Sequence, residues 1–175
     1  MIIELVRGCR KQHRESQKRL YKRFYAYGMS ITLRYAESRA EAVEILNDAF
    51  MKAFQNIRKY DTERPFKPWF RQIVVNTAIN HFHRCRARLQ WESLDERDHI
   101  PGKNETITSG ISYDEIIRMV QQLTPVYRTV FNLYVVEGFK HREIARMLNI
   151  SEGTSKSNLA KAKRNLRSIL EKNLI

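Results

Sequence analysis

Residues 143–166 carry polar and basic side chains in a pattern that suits binding to a polyanion such as DNA. Ile144 and Leu148 give a short predicted helix its apolar face. Asn149 suits the turn that follows, because asparagine tolerates a left-handed backbone. Ser151 is a natural N-cap for a second helix, since its hydroxyl can accept from a backbone N–H one turn later. The spacing predicts a helix-turn-helix, which lays its second helix in the DNA major groove.

The second helix of this unit separates its apolar residues from its basic ones. Leu159, Ala162 and Leu166 are spaced for packing on one face. The basic residues point elsewhere and are Lys156, Lys161, Arg164 and Arg167. A plain helical bundle would also accommodate such a segment, but the whole chain has 32 Lys+Arg against 19 Asp+Glu, a net charge of +13. This excess of positive charge favours a nucleic-acid partner.

A second polar surface is predicted on a helix over residues 68–88. Val75, Ile79 and Phe82 recur at core-facing intervals. The opposite face carries groups that can hydrogen-bond base edges or phosphates, namely Asn76, Thr77, Asn80, His81 and Arg84. A polar face of this kind is usually just solvated, so by itself it is weak support for binding.

Aromatic residues surround the turn that precedes this helix. They are Tyr60, Phe66, Trp69 and Phe70. Aromatic faces beside basic groups hold unpaired bases by stacking, although Trp69 and Phe70 also suit a hydrophobic core. The aromatic turn followed by the polar helical face favours contact with single-stranded nucleic acid.

The elements that must position these groups are all helical. Apolar residues recur at helical spacing over residues 3–10, 14–36, 39–58 and 68–88, and no stretch alternates as a strand would. Residues 60–67 read as a turn, because Asp61 and Thr62 favour turns and Pro65 interrupts a helix. The predicted fold class is all-α.

Charge divides the chain into three predicted parts. Residues 1–88 hold 19 Lys+Arg and 8 Asp+Glu, whereas residues 89–112 hold 2 and 5. Residues 113–175 are basic again, with 11 and 6. The middle part also contains Pro101, Gly102 and no sustained period. We therefore predict two small helical domains, 1–88 and 113–175, joined by an acidic linker.

Several other classes of protein fit this sequence poorly. No apolar run is long enough to cross a membrane, and the start of the chain is unlike a secretory signal. Two cysteines do not make a disulfide framework, which favours a cytoplasmic protein. No glycine-rich phosphate loop or zinc-protease motif is present, so neither an enzyme nor a cofactor is expected. His81 and Cys85 share a helix face but lack the further ligands of a zinc site, so no metal is expected.

The chain resembles an extracytoplasmic-function sigma factor, a small two-domain specificity subunit of bacterial RNA polymerase. The family's clamp-docking helix is similar to residues 40–54, AEAVEILNDAFMKAF. Its minus-ten melting segment is similar to residues 64–84, RPFKPWFRQIVVNTAINHFHR. Its minus-thirty-five domain is similar to residues 123–170, which include SEGTSKSNLAKAKRNL. IVVNTAI and SEGTSKS particularly resemble members from the Bacteroidetes group.

The resemblance implies partners and residue roles. The partners are core RNA polymerase, through its beta-prime clamp and beta flap, promoter DNA and an anti-sigma factor. Residues implied at the clamp are Glu44, Asn47, Asp48 and Phe50. Residues 61–67 would receive a flipped-out minus-ten base. The residues that would line or border that region are Phe66, Trp69, Asn76, Thr77, Asn80 and Arg84. At the minus-thirty-five element we expect Arg142, Thr154, Lys156, Ser157, Asn158, Lys161, Arg164 and Arg167.

Three positions depart from the family pattern. Ser155 occupies a slot where valine or isoleucine is expected, and an unpaired hydroxyl there would cost about 1–3 kcal/mol. Asn80 stands where aspartate is common, and Asn158 where arginine is common. The last two departures bear on which promoter sequence is read.

Two other functions compete with this one. A stand-alone helix-turn-helix regulator would bind duplex DNA without polymerase, through the same 143–166 segment. An RNA-binding helical module would account for the positive charge alone.

Overall fold

The computed structural model describes residues 2–92 and 112–173, and over these residues the chain forms helices and no strand. The α-helices are α1 (Ile2–Arg10), α2 (Arg14–Thr32), α3 (Arg39–Asn56), α4 (Phe66–Glu92), α5 (Tyr113–Gln121), α6 (Pro125–Phe131), α7 (His141–Leu148) and α8 (Glu152–Asn173). A 3₁₀ turn, Ile57–Lys59, follows α3, and a π-helical turn, Asn132–Val136, follows α6. The all-α prediction is confirmed.

The chain divides into two compact units. The first contains residues 1–33 and 38–81, and the second contains residues 34–37 and 82–175. The boundary between these two units falls inside α4. Most of the predicted acidic linker, residues 93–111, lies outside the described residues. The three-part division with a linker stays a prediction.

The first unit is built around the apolar stripe of α3. Ser38 caps this helix by accepting from the backbone N–H of Glu41 at 3.2 Å. The stripe buries Ile45, Leu46 and other residues completely or nearly so. Gly28 of α2 permits close approach, because a Cβ there would lie 2.3 Å from Cδ1 of Leu46.

The second unit has its own core and a buried arginine. A capping box at Ser112 begins α5, and Ile144, Leu148 and Leu159 contribute to the core. Arg128 of α6 is 1% exposed; it donates to the carbonyl of Leu123 at 3.1 Å and pairs with Glu37 of the same unit at 3.2 Å. Its charge is thereby compensated inside the unit.

None of the helices within the described stretches combines the length and the apolar character that a membrane span needs.

Candidate nucleic-acid interface

The helix-turn-helix forms where the sequence predicts it. Helix α7 ends at Leu148, and its C-cap is Asn149, whose backbone is left-handed at φ 53° and ψ 53°. Ser151 then accepts from the backbone N–H of Thr154 at 2.9 Å, and α8 begins at Glu152. A polar cap and an acidic first residue both stabilise the start of α8.

A polar pair joins the two helices of this motif. Nδ1 of His141, at the start of α7, lies 2.9 Å from Oγ of Ser155 in α8. Ser155 is 0% exposed, so the imidazole supplies the hydrogen-bond partner that its hydroxyl would otherwise lack. The His141 ring also stacks on Tyr134, with centroids 4.5 Å apart. Ser155 occupies a position where an apolar residue is expected, and its hydroxyl is hydrogen-bonded to the side chain of His141.

Most of the residues predicted to meet the minus-thirty-five duplex are exposed. They are Arg142 of α7 and Thr154, Lys156, Ser157, Lys161, Arg164 and Arg167 of α8. The Nζ of Lys161 lies 5.9 Å from the centroid of the Tyr127 ring, which orients its ammonium group by a cation–π contact. Asn158, by contrast, is only 8% exposed. Its contact with the duplex stays a prediction.

The turn before α4 is held by Tyr60 at both of its ends. The carbonyl of Tyr60 accepts from Nη2 of Arg10 at 2.7 Å, and its hydroxyl donates to the carbonyl of Arg64. Between them, Asp61 accepts from the backbone N–H of Glu63 at 3.0 Å. Burial raises the pKa of the Tyr60 hydroxyl, with the Asp61 charge acting in the same direction and Arg10 against it. The hydroxyl therefore stays protonated and keeps donating.

An aromatic cluster lies directly behind this turn. The Tyr60 and Trp69 centroids are 4.9 Å apart, and Trp69 and Phe66 are 5.3 Å apart. Trp69 is half-buried, whereas Phe66 is 3% exposed and Phe70 is fully buried. The Phe66 ring packs against Phe24, at 4.5 Å between centroids, and supports the turn from inside. Its contact with a base stays a prediction.

The polar face of α4 is only partly accessible. Asn76 and Asn80 are exposed in the first unit, and Arg84 is exposed in the second. Thr77 is only 1% exposed. Its Oγ1 donates to the carbonyl of Ile73 at 2.7 Å and lies 3.3 Å from Nζ of Lys52. The role predicted for Thr77 at DNA stays a prediction.

The predicted clamp-docking residues of α3 also separate into two groups. Glu44 and Asn47 are exposed, Asp48 is half-buried, and the Asn47 amide oxygen accepts from the Tyr21 hydroxyl at 3.0 Å. Phe50 is 2% exposed and packs on Phe70 in the core of the first unit, at 4.7 Å between centroids. Its contact with the clamp stays a prediction.

Met51 is a further exposed residue of this helix, which the sequence analysis did not single out. Its side chain is 60% exposed, and it follows Glu44 and Asn47 at i+7 and i+4 on the solvent face of α3. A large apolar side chain on the polar side of an amphipathic helix is the signal that would have identified it.

The two histidines beside Cys85 have protein partners. Nδ1 of His81 lies 3.6 Å from a carboxylate oxygen of Glu41 within the first unit. In the second unit, Nε2 of His83 donates to the carbonyl of Met147 at 2.8 Å, at the C-terminal end of α7. This bond fixes the end of the first helix of the helix-turn-helix.

Both of the regions described above match known protein families. Residues 20–88 match the family described as Sigma-70 region 2, which contains α3, the turn and most of α4. Residues 113–166 match Sigma-70, region 4, which contains the helix-turn-helix. The two regions together cover well over half of the chain. The chain belongs to the sigma-70 family of RNA polymerase sigma factors.

Curated relatives agree with this assignment. The RNA polymerase sigma-H factor of Pseudomonas aeruginosa is 26% identical over 147 residues, covering 77% of this chain and 76% of the relative. The ECF RNA polymerase sigma-E factor of Haemophilus influenzae is 24% identical over 174 residues, covering 91% and 89%. The extracytoplasmic-function resemblance is therefore confirmed, and a stand-alone regulator is not favoured.

A solved structure shares the fold. The sigma factor RpoE from Bartonella quintana, crystallised with the anti-sigma factor NepR, matches with a TM-score of 0.52 at 16% identity. The match covers 88% of this chain and 96% of that one.

Proposed function

We propose that this sigma factor binds core polymerase through α3, opens and reads the minus-ten element with the first unit, and reads the minus-thirty-five duplex with α8. Promoter specificity would then come from two chemistries, base capture from an opened strand and base-edge contact in a duplex groove. The observation that best supports this proposal is the exposed, capped start of α8.

The duplex-reading step is supported by the exposed side chains at the start of α8. Thr154, Lys156 and Ser157 lie in its first two turns, and Lys161 lies one turn further. Residues at the start of a recognition helix contact base edges, while flanking basic residues contact phosphates. Arg142, Arg164 and Arg167 suit the phosphate role.

The strand-opening step is supported by the turn at residues 60–66. Its backbone is fixed through Tyr60, and the half-buried Trp69 together with the exposed Asn76 and Asn80 lies on the helix that follows. Extruding a base costs a few kcal/mol, so the receiving site must be ordered beforehand. An asparagine at position 80 in place of the usual aspartate offers both a donor and an acceptor to that base.

Docking on polymerase is supported by the solvent face of α3. Glu44 and Asn47 supply polar contacts and Met51 supplies an exposed apolar one. A polar rim around an apolar centre is typical of protein interfaces. We assign this face to the beta-prime clamp and the second unit to the beta flap.

The remaining assignments follow from this role. A sigma factor acts by binding and carries out no catalysis of its own, so we propose neither cofactor nor metal. We propose an anti-sigma factor as regulator, since the solved neighbour is a complex with one. We place the protein in the cytoplasm, with core polymerase, where Cys9 and Cys85, which form no disulfide, would remain reduced.

The test is transcription in vitro on genomic fragments, with core polymerase in the presence and absence of this protein. New transcripts with defined start sites are expected only when the protein is added. Tight, sequence-specific binding to duplex DNA without polymerase, together with no added transcripts, would instead identify a stand-alone regulator.

A further inference from the structure

Arg10 makes contacts to which the proposed function above assigns no role. It is the last residue of α1, and it lies outside the part of the chain that matches Sigma-70 region 2. Its Nη2 donates to the carbonyl of Tyr60 at 2.7 Å, and its Nε donates to the carbonyl of Ile57 at 3.4 Å. One guanidinium therefore binds both ends of the 3₁₀ turn that leads into the base-receiving turn.

The two acceptors explain why an arginine suits this position. Carbonyls at the end of a helical turn carry partial negative charge. The Ile57 carbonyl also accepts from the backbone N–H of Tyr60 at 3.4 Å, and its second lone pair remains for a further donor. A guanidinium presents several donors in a fixed plane, so it can satisfy two such carbonyls at once. A charged donor also makes these bonds stronger than neutral ones.

Helix α1 holds Arg10 in place. Val6 and Cys9 of α1 are 0% and 2% exposed. Gly8 lies so close to α2 that a Cβ there would meet Oγ of Ser16 at 2.1 Å. Because the helix is packed this tightly, Arg10 is a fixed anchor for the turn.

The effect of Arg10 passes to the turn through Tyr60. The carbonyl of Tyr60 is held by Arg10, its hydroxyl holds the carbonyl of Arg64, and its ring packs on Trp69. Residue 60 thus links α1 to both ends of the segment proposed to receive the extruded base.

We propose that Arg10 is a positioning residue for promoter opening, which orders the turn at residues 60–66 before a base arrives. The proposal rests on the proposed function of that turn. It separates opening from docking, because the two hydrogen bonds of Arg10 go to the backbone carbonyls of Ile57 and Tyr60 and not to Glu44, Asn47 or Met51.

The experiment uses the full chain, core polymerase and a promoter on which the wild-type protein gives defined transcripts. A 2-aminopurine in the minus-ten non-template strand reports base extrusion by its fluorescence. Variants Arg10→Ala and Arg10→Lys are compared with Arg7→Ala, a matched control at an exposed arginine on the same helix. Competition binding measures core affinity, and circular dichroism measures Tm.

Arg10→Ala is expected to slow base extrusion about tenfold, which corresponds to losing one charged hydrogen bond that orders the turn. Core affinity should match the wild type. On a template already unpaired at the minus-ten, the defect should shrink to about twofold or less, because the cost of extrusion has been removed. Arg10→Lys should recover part of the rate, and Arg7→Ala should behave as wild type.

Three results would overturn the inference. One is an extrusion rate for Arg10→Ala equal to that of Arg7→Ala. Another is an equal loss on duplex and pre-opened templates accompanied by loss of core binding, since that is general destabilisation. If Arg10→Ala does not fold, the test is made with Arg10→Lys. An extrusion rate for Arg10→Lys equal to that of the wild type on both templates would count against the two-carbonyl role. Failure of the wild-type protein to direct any transcript would overturn the proposed function itself.

Discussion

His141 and Ser155 form a hydrogen-bonded pair, 2.9 Å from Nδ1 to Oγ, across the two helices of the helix-turn-helix. They are fourteen residues apart, and Ser155 is completely buried. The packing of the recognition helix on its partner therefore depends on a polar contact in a slot that is usually apolar. Removing one partner of this contact should therefore change the free energy of unfolding differently from a substitution in an apolar interface.

His141→Ala should destabilise the protein by about 1–3 kcal/mol, because it leaves the Ser155 hydroxyl buried without its partner. Ser155→Ala removes that hydroxyl, so the double variant should lose less than the two single losses added together. Chemical denaturation of all four proteins gives the coupling energy. A coupling of zero would show that the pair does not stabilise the fold.

Asn76→Ala and Asn80→Ala should reduce promoter opening while leaving core binding intact. Both amides are exposed on α4, and we expect them to meet bases only after the strands separate. Permanganate reactivity of unpaired promoter thymines measures opening. Glu15→Ala, at an exposed polar residue of α2 in the same unit, is the control and should open promoters normally. Unchanged thymine reactivity in both asparagine variants would remove these residues from the site.

Lys161→Ala should weaken promoter use by about 1–3 kcal/mol if the ammonium reads a base edge. If it contacts only a phosphate, the loss should be similar for all promoter sequences, and the salt slope should fall by about one unit. A panel of minus-thirty-five point variants at two salt concentrations separates these cases. Lys163→Ala, two residues away and also exposed, is the matched control. Activity equal to the control throughout the panel would leave Lys161 as a solvated lysine held over Tyr127.

Met51→Ser should weaken binding to core polymerase by about 1–2 kcal/mol, through loss of apolar area at the interface. Its effect on folding should be small, because the side chain is 60% exposed. Competition for core polymerase against the wild-type protein measures the affinity. Ile3→Ser serves as a control, since Ile3 is also exposed but lies on α1. Equal affinity of the Met51 variant and the wild type would exclude this face of α3 from docking.

Cys9 should react with thiol reagents far more slowly than Cys85. Burial raises the pKa of the Cys9 thiol to about 11, whereas Cys85 is partly exposed. At pH 8 only about one Cys9 thiol in a thousand is ionised, and the thiolate is the reactive form. Because the folded pKa lies above the unfolded value, the stability that Cys9 contributes should fall as pH rises from about 9 to 11. Two equal fast phases with a disulfide reagent would contradict the burial of Cys9.

The sequence alone determined the elements that depend on local chemistry. The left-handed turn at Asn149, the cap at Ser151 and the apolar stripe of α3 each depend on residues within a few positions, and all three appear where predicted. Element ends were less certain. The helix predicted over residues 14–36 ends at Thr32, and α4 begins at Phe66 and continues to Glu92.

Tertiary structure decided which side chains remain available for binding. Phe50, Phe66, Thr77 and Asn158 lie in segments predicted to bind, and packing against residues distant in the sequence buries them. Helical periodicity gives the direction of a side chain but not the position of the neighbouring helix, so it cannot separate a solvent face from a second buried face. The partnership of Arg10 with Tyr60 spans fifty residues. No local pattern encodes such a contact, because it exists only once the helices have packed.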